Sequence, residues 1–140
     1  MTAQITYNEC IVFLLAKANQ KAQKNLKKRM KPFGLTTVQG LILGAIYEDN
    51  GLTASEIGQR LVLDNATVSG VLDRLIDGGW ITKKSDENDR RVQRILLTEQ
   101  ANASIVNELI QVRADANEET LNNLSLEERV LLKRLLRDLE

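Results

Sequence analysis

Apolar and small residues recur at every third or fourth position along the first part of the chain. From Thr6 to Met30 the sequence has no glycine or proline, and the recurring positions are Ile11, Leu14, Leu15, Ala18, Ala22, Leu26 and Met30. This spacing predicts one long amphipathic helix. Thr6-Tyr7-Asn8-Glu9 has the form of a capping box, so we expect the helix to begin there and to end before Pro32 and Gly34.

The middle of the chain predicts three shorter helices. Thr36-Thr37-Val38-Gln39 is a capping box before an apolar run, which predicts a buried helix to Tyr47. Thr53-Ala54-Ser55-Glu56 is another box and predicts a short helix through Leu61. Asp64 is the expected cap of the next helix, which stops at Gly78-Gly79. Two helices therefore follow each other across a tight turn.

A hairpin and two more helices complete the predicted order. Residues 80–84 and 92–97 are typical of strands, and the segment 85–91 between them is wholly polar. Thr98 is expected to begin a helix that carries Ile105, Leu109, Val112 and Ala116 on one face. A last helix is predicted after the capping box Ser125-Leu126-Glu127-Glu128. Its apolar residues are Val130, Leu131, Leu135, Leu136 and Leu139.

This order of elements suits recognition of duplex DNA. The major groove admits one helix, and the hairpin can contact the neighbouring minor groove. The predicted fold class is mainly α (α+β), a winged helix-turn-helix with further helices at both ends. We expect a single domain over residues 1–140, with a winged lobe at 35–98 and flanking helices at 6–33 and 99–140. The apolar surface of those flanking helices exceeds what a small lobe can cover, which favours a dimer.

The second helix of the pair offers the residues that would read DNA. Val68, Val71, Leu72, Leu75 and Ile76 form its predicted inward face, and Thr67, Ser69, Gly70, Asp73, Arg74 and Asp77 its outward face. We expect Asn65, Thr67, Ser69 and Gly70 to lie where the chain approaches the groove, with Arg74 one turn later. Gly70 would permit close approach. The outward residues are also compatible with the ordinary polar face of any surface helix.

The hairpin tip carries Asp89-Arg90-Arg91. Arginine suits a narrow A·T-rich minor groove, where the negative potential is concentrated. Asp89 is expected to orient Arg91, since a tethered side chain loses less freedom on binding. Lys83, Lys84 and Arg94 on the strands are further candidates for phosphate contacts, which position a protein without reading sequence.

Composition narrows the classes of function. The 140 residues include one cysteine and no histidine, so common zinc ligand sets and His-based catalysis are missing. The uncharged run 11–16 is too short to span a membrane, and Met1-Thr2-Ala3-Gln4 lacks a basic leader, so we expect a cytoplasmic protein. Neither an enzyme nor a metal protein is expected.

The chain resembles the MarR family of winged-helix regulators over nearly its whole length. The matching positions are Leu35-Thr36, Gln39, Leu43, Leu52-Thr53, Glu56-Ile57-Gly58, Leu61, residues 64–75, Gly79-Trp80-Ile81-Thr82, Asp89-Arg90-Arg91 and Leu97-Thr98. The resemblance implies a DNA-binding regulator that acts as a repressor. It also implies a homodimer joined by the terminal helices, two symmetric winged lobes, a palindromic operator, and release by a small ligand or an oxidant. The effector expected for this chain is a small aromatic or anionic molecule. No cofactor is implied.

Two other hypotheses stay open at this point. A winged helix is also used as a protein-interaction module, because fold alone does not decide function. The second is oxidant sensing through Cys10, since the peroxide-sensing branch of the family has a reactive cysteine in the first helix. When Phe13-Leu14-Leu15 is matched to that branch, however, the sensing position falls on Val12 and the partner tyrosine positions on Leu26 and Thr37.

Overall fold

Helices make up most of the chain in the computed structural model, which describes residues 4–139 without the side chains of 102–104. The elements are α1 (Ile11–Met30), α2 (Thr37–Glu48), α3 (Ala54–Leu61), α4 (Asn65–Asp77), β1 (Ile81–Ser85), β2 (Gln93–Leu97), α5 (Glu99–Ser104), α6 (Val106–Thr120) and α7 (Leu126–Arg137), with 3-10 turns at Tyr7–Glu9 and Lys31–Phe33. Residues 1–3 and 140, the ends of the predicted 1–140 domain, lie outside the described range.

The described chain packs as two compact units. The first unit joins the chain up to Arg29 to the chain from Arg113, and the second unit holds Met30–Val112. The second unit contains the whole predicted winged lobe, and the first contains most of both flanking segments. The single-domain assignment stays a prediction.

Three of the four predicted capping boxes fix helix starts as predicted. The side chains of Thr36, Thr53 and Ser125 each accept a hydrogen bond at 3.2 Å from the backbone N–H three residues later. The residue at that later position is Gln or Glu, and its side chain bonds back to the cap. Because each box satisfies two of the free backbone N–H groups at a helix start, α2, α3 and α7 begin at the predicted residues.

The prediction of one helix from Thr6 was wrong at its start. The Thr6 box closes only the 3-10 turn Tyr7–Glu9, and Cys10 then has extended angles, φ −69° and ψ 128°. A residue in that region cannot continue the helical hydrogen-bond ladder. The Cys10 carbonyl instead accepts the N–H of Leu14 at 3.0 Å, so Cys10 becomes the residue that precedes α1.

The helix predicted from Thr98 is interrupted as well. Ile105, with φ −124° and ψ −28°, separates α5 from α6. Thr98 does cap α5, because its Oγ1 accepts the N–H of Ala101 at 3.2 Å. Leu109 and Ala116 are buried as predicted, whereas Ile105 and Val112 are half-buried and Val106, absent from the predicted face, is buried.

The core of the second unit is formed by α2, α3, α4 and the hairpin, together with Met30 at the end of α1 and Val106 at the start of α6. Its fully buried side chains are Met30, Ile42, Leu43, Ile46, Ile57, Val68, Leu72, Leu75, Ile81, Ile95 and Val106. Burial of each such side chain contributes about 1.5–3 kcal/mol. A Cβ at Gly40 would lie 2.8 Å from both Sδ and Cε of Met30, so this glycine makes room for the methionine side chain.

Polar contacts join α1 to the end of α6 within the first unit. The Nδ2 of the buried Asn25 donates to Thr120 Oγ1 at 2.9 Å. Glu119 binds Lys28 and Arg29, each at 2.8 Å. Hydrogen bonds from Lys28 and then Arg29 lower the pKa of Glu119. These contacts fix which turns of the two helices lie side by side.

Candidate nucleic-acid interface

A tight turn joins α3 to α4. Val62 and Leu63 both donate their N–H groups to the Gly58 carbonyl, the second at 2.9 Å. A Cβ at Gly58 would lie 3.0 Å from the Leu63 carbonyl oxygen and 3.5 Å from Val68 Cγ2, so the turn can pack this closely only over glycine. Val62 is left-handed, with φ 56° and ψ 51°, and is 90% exposed. A left-handed β-branched residue stores roughly 1–3 kcal/mol of strain.

Asp64 begins α4 and holds Thr67. Its carboxylate accepts the Thr67 N–H at 2.7 Å and the Thr67 hydroxyl at 2.8 Å. The backbone bond and then the hydroxyl bond lower the pKa of Asp64. Thr67 was predicted to face outward, but it is half-buried, and its hydroxyl donates to Asp64. Its contact with a base remains a prediction.

The outward face of α4 is otherwise as predicted. Asn65, Ser69, Gly70 and Arg74 are all exposed, while Val68, Val71, Leu72 and Leu75 are buried and Ile76 is half-buried. Apart from its chain neighbours and the backbone of its own helix, no described atom lies within 4 Å of a Cβ built on Gly70. The packing of the described chain therefore does not require a glycine there, unlike at Gly58. Exposed short side chains leave the helix backbone open to a close ligand.

The hairpin is a two-stranded antiparallel ribbon whose register separates its lysines. Lys83 pairs with Ile95 and Lys84 pairs with Arg94. Neighbouring residues of a strand point to opposite faces, so the two lysines lie on opposite sides of the ribbon. Leu52 adds a single bridge to Ile95, which ties the hairpin to the loop before α3. The two lysines thus cannot serve the same face of the ribbon.

Asp89 orients Arg91 at the hairpin tip, as the sequence predicted. The Asp89 carboxylate accepts Arg91 Nε at 3.2 Å, Nη2 at 3.4 Å and the Arg91 backbone N–H at 3.1 Å. The Arg91 side chain remains 91% exposed. Arg90 beside it is also exposed. The tip therefore presents a guanidinium that is held in position yet open to a ligand.

Arg94 has partners within the chain. The sequence offered it as a phosphate contact, but it is half-buried, and its Nη2 donates to Asp86 at 2.9 Å and its Nη1 to the Gly51 carbonyl at 3.3 Å. Glu56 lies 3.8 Å from Nη1. The pKa of Asp86 is lowered, first by the Asn88 N–H and then by Arg94. These bonds tie the hairpin to Gly51 through Arg94, and its contact with phosphate stays a prediction.

The requirements of a metal site and of a membrane span also bear on the described residues 4–139. That range contains no group of three or more His, Cys, Asp or Glu side chains placed to hold a metal ion. Within the same range, no helix has the length and apolar character of a membrane span. Cys10 is an exposed free cysteine, and oxidant sensing through it stays a hypothesis.

The fold is a winged helix-turn-helix of the kind that binds DNA. Its features are the helix pair, the exposed polar face of α4 and the charged hairpin tip. The model of the MarR family matches residues 33–92. The multiple antibiotic resistance protein MarR of Escherichia coli is 30% identical over 134 residues, 94% of this chain and 92% of that protein. The chain belongs to the MarR family.

Other relatives match over different lengths. The organic hydroperoxide resistance transcriptional regulator of Bacillus subtilis is 34% identical over 89 residues, and the match spans 64% of this chain and 60% of that protein. Among solved structures, BpsR of Bordetella bronchiseptica has a TM-score of 0.89 at 26% identity, covering 98% of this chain and 97% of that one. A mutant MarR from E. coli complexed with operator DNA has a TM-score of 0.84 at 28% identity, covering 97% and 99%.

Family membership decides between the broad classes of function. The chain is a DNA-binding transcriptional regulator and not an enzyme. This favours DNA over a protein partner as the ligand of the winged unit.

Proposed function

We propose that this regulator is a homodimeric repressor, that it binds a palindromic operator, and that a small aromatic or anionic ligand releases it. The observation that carries the proposal is the concentration of exposed apolar side chains on one unit of a DNA-binding protein. We also infer a cytoplasmic location, because the named relatives are bacterial and bacterial DNA lies there.

The first unit exposes most of the large apolar surface. Of fifteen exposed large apolar residues in the described chain, all but Tyr47 and Val62 lie in this unit. They are Ile5, Tyr7, Ile11, Val12, Phe13, Leu14, Leu15, Leu126, Val130, Leu131, Leu135, Leu136 and Leu139. A soluble monomer rarely exposes so many large apolar side chains on one compact unit, and a second copy would cover them symmetrically. We therefore assign the start of α1 and the outer face of α7 to the dimer interface.

A dimer carries two winged units, and its symmetry favours two matching half-sites. Such half-sites lie about one helical turn apart on the same face of the duplex. Occupation of DNA at a promoter blocks other proteins by exclusion alone, without any further contact surface. Repression is the output that follows most directly from this arrangement.

The roles of the individual residues follow from their positions. We assign Asn65, Ser69, Gly70 and Arg74, with Thr67 through its oxygen, to base edges in the major groove, where short polar groups and arginine can distinguish base pairs. Arg90 and Arg91 would enter the adjacent minor groove, with Asp89 holding Arg91. Lys83 would contact phosphate.

The proposed effector class rests on a relative. In BpsR, 6-hydroxynicotinic acid regulates DNA binding. This regulator molecule is an aromatic carboxylic acid. By analogy, we propose a small aromatic or anionic ligand here. Such a ligand weakens operator binding only if it prefers a conformation other than the DNA-binding one. No cofactor is needed for this switch.

Selection from random duplex DNA, combined with a solution mass, tests the proposal. We expect a retained palindrome, two protomers per duplex and a steep dependence on salt. Leu131→Glu should give a monomer, because it places a charge within the apolar face of α7. Val62→Glu is the matched control, since it changes an exposed apolar residue of the other unit and should leave the dimer intact. No enrichment from a folded dimer at low salt would refute the proposal.

A further inference from the structure

Positive charge is concentrated in one segment of a chain whose net charge is zero. Residues 1–31 contain seven Lys and Arg against Glu9, a balance of +6, while residues 32–98 contain seven against nine acidic residues, a balance of −2. The segment that reads DNA therefore carries a slightly repulsive charge toward the phosphates. The segment 1–31, with its balance of +6, can therefore add to the attraction over distances comparable to the Debye length.

A row of lysines on α1 supplies that charge. Lys17, Lys21 and Lys24 are spaced by four and three residues, which places them on one side of the helix at axial steps of about 6 and 4.5 Å. All three are exposed. We call these three residues the lysine row.

The lysine row is not neutralised by the described part of the chain. Within residues 4–139, no carboxylate forms an ion pair of 4.0 Å or less with any of its three ammonium groups. Lys28, the next position in the row's spacing, is instead bound to Glu119 at 2.8 Å. Like charges three or four residues apart repel one another along a helix. An anionic ligand would relieve that repulsion.

The composition of this surface favours DNA over a folded protein as the anion. Protein interfaces are enriched in aromatic residues and arginine and depleted in lysine. The residues from 17 to 24 are Lys, Ala, Asn, Gln, Lys, Ala, Gln and Lys, with no aromatic side chain and no arginine. Duplex DNA has one negative charge for about every 1.7 Å of its axis, so a row of this length can face several phosphates.

We propose that the lysine row is a second DNA-binding surface, which contacts phosphates of the duplex without reading base sequence. This inference rests on the proposed function. It adds a step in which the protein binds duplex DNA of any sequence through the lysine row. Its effect is to raise the affinity for any duplex and the rate of association, while the base preference stays with α4.

The test compares two triple variants with the wild-type protein on an operator duplex and on a duplex of random sequence. In the first variant, Lys17, Lys21 and Lys24 are all changed to Gln, which has a similar helix propensity. In the second they are all changed to Arg, which keeps the charge. The affinity is measured over a range of salt concentrations. Each phosphate contact contributes about 0.9 to the slope of log K against log salt, so the Gln variant should lose about 2.7 per protomer.

The expected result is a reduced slope and slower association for the Gln variant on both duplexes, with the ranking of operator variants unchanged and the Arg variant like wild type. An unchanged slope for the Gln variant would overturn the proposal, as would an equal loss in the Arg variant. If the wild-type protein binds no duplex at any salt concentration, the proposed function itself fails, and the lysine row fails with it.

Discussion

Gly70 should have opposite effects on stability and on DNA binding when it is replaced by alanine. Gly70 lies inside α4, where glycine is about 1 kcal/mol less favourable than alanine. Beyond its chain neighbours and the backbone of α4, a Cβ there meets no described atom within 4 Å, so no steric cost opposes the gain. We therefore expect Gly70→Ala to raise the free energy of unfolding by about 1 kcal/mol.

The same methyl group would stand between the helix and the base edges if α4 enters the major groove. Displacement of the helix would weaken at least one base contact, and each good contact is worth about 1–3 kcal/mol. We expect operator affinity to fall about tenfold or more, since tenfold corresponds to about 1.4 kcal/mol. Urea unfolding gives the first quantity, and fluorescence anisotropy with a labelled operator duplex gives the second.

Gly58→Ala is the matched control on the neighbouring helix. Its Cβ would lie 3.0 Å from the Leu63 carbonyl oxygen, so it should lower stability by about 1–3 kcal/mol through overpacking. A Gly70→Ala protein that is less stable than wild type would refute the packing argument. Unchanged operator affinity in a stabilised Gly70→Ala protein would remove Gly70 from the DNA contact surface.

Three further predictions concern the turn, the hairpin tip and the helix cap. Val62→Gly should raise the free energy of unfolding by roughly 1 kcal/mol in urea, because the relief of left-handed strain exceeds the entropy cost of glycine; a loss of stability would contradict this. Asp89→Asn should weaken binding to operators with A·T-rich flanks while urea unfolding stays unchanged, and equal affinity would show that Arg91 needs no tether. The pKa of Asp64 is lowered from its ordinary value of 3.8, so its charge stabilises the folded state above that pH and the contribution is lost as pH falls through the folded pKa. The stability advantage of wild type over Asp64→Asn, measured by urea unfolding, should therefore be present at about pH 6 and shrink at about pH 3 and below; an advantage independent of pH would refute the role of the charge.

The starts of α2, α3 and α7 were the most predictable part of the fold, whereas the Thr6 box misplaced the start of α1. A capping box is a local interaction between residues three apart, so it can be read from Thr36, Thr53 and Ser125 without knowledge of the tertiary structure. The hairpin was predictable for a similar reason, since its polar tip interrupts two runs of strand-forming residues. In the site, the contact between Asp89 and Arg91 joins residues only two apart, so it could also be predicted from the sequence.

Features that depend on tertiary packing were not predictable. The interruption at Ile105 occurs at an ordinary apolar residue with no glycine or proline to mark it. Val62 adopts a left-handed conformation that sequence patterns reserve for glycine or asparagine. Arg94 looked like any strand arginine, because its Gly51 carbonyl partner lies forty-three residues away. Each of these is set by neighbours that a single sequence does not identify.

The most direct test of a dimer with two DNA-reading units is the spacing of the half-sites. The affinity is measured for the selected operator as base pairs are inserted or removed at its centre, one at a time. A dimer predicts a sharp optimum near one helical turn, about 10–10.5 base pairs between half-site centres, and a large loss when about five base pairs turn one half-site to the opposite face. Affinity that is independent of spacing, or a single half-site bound as tightly as the whole operator, would contradict it.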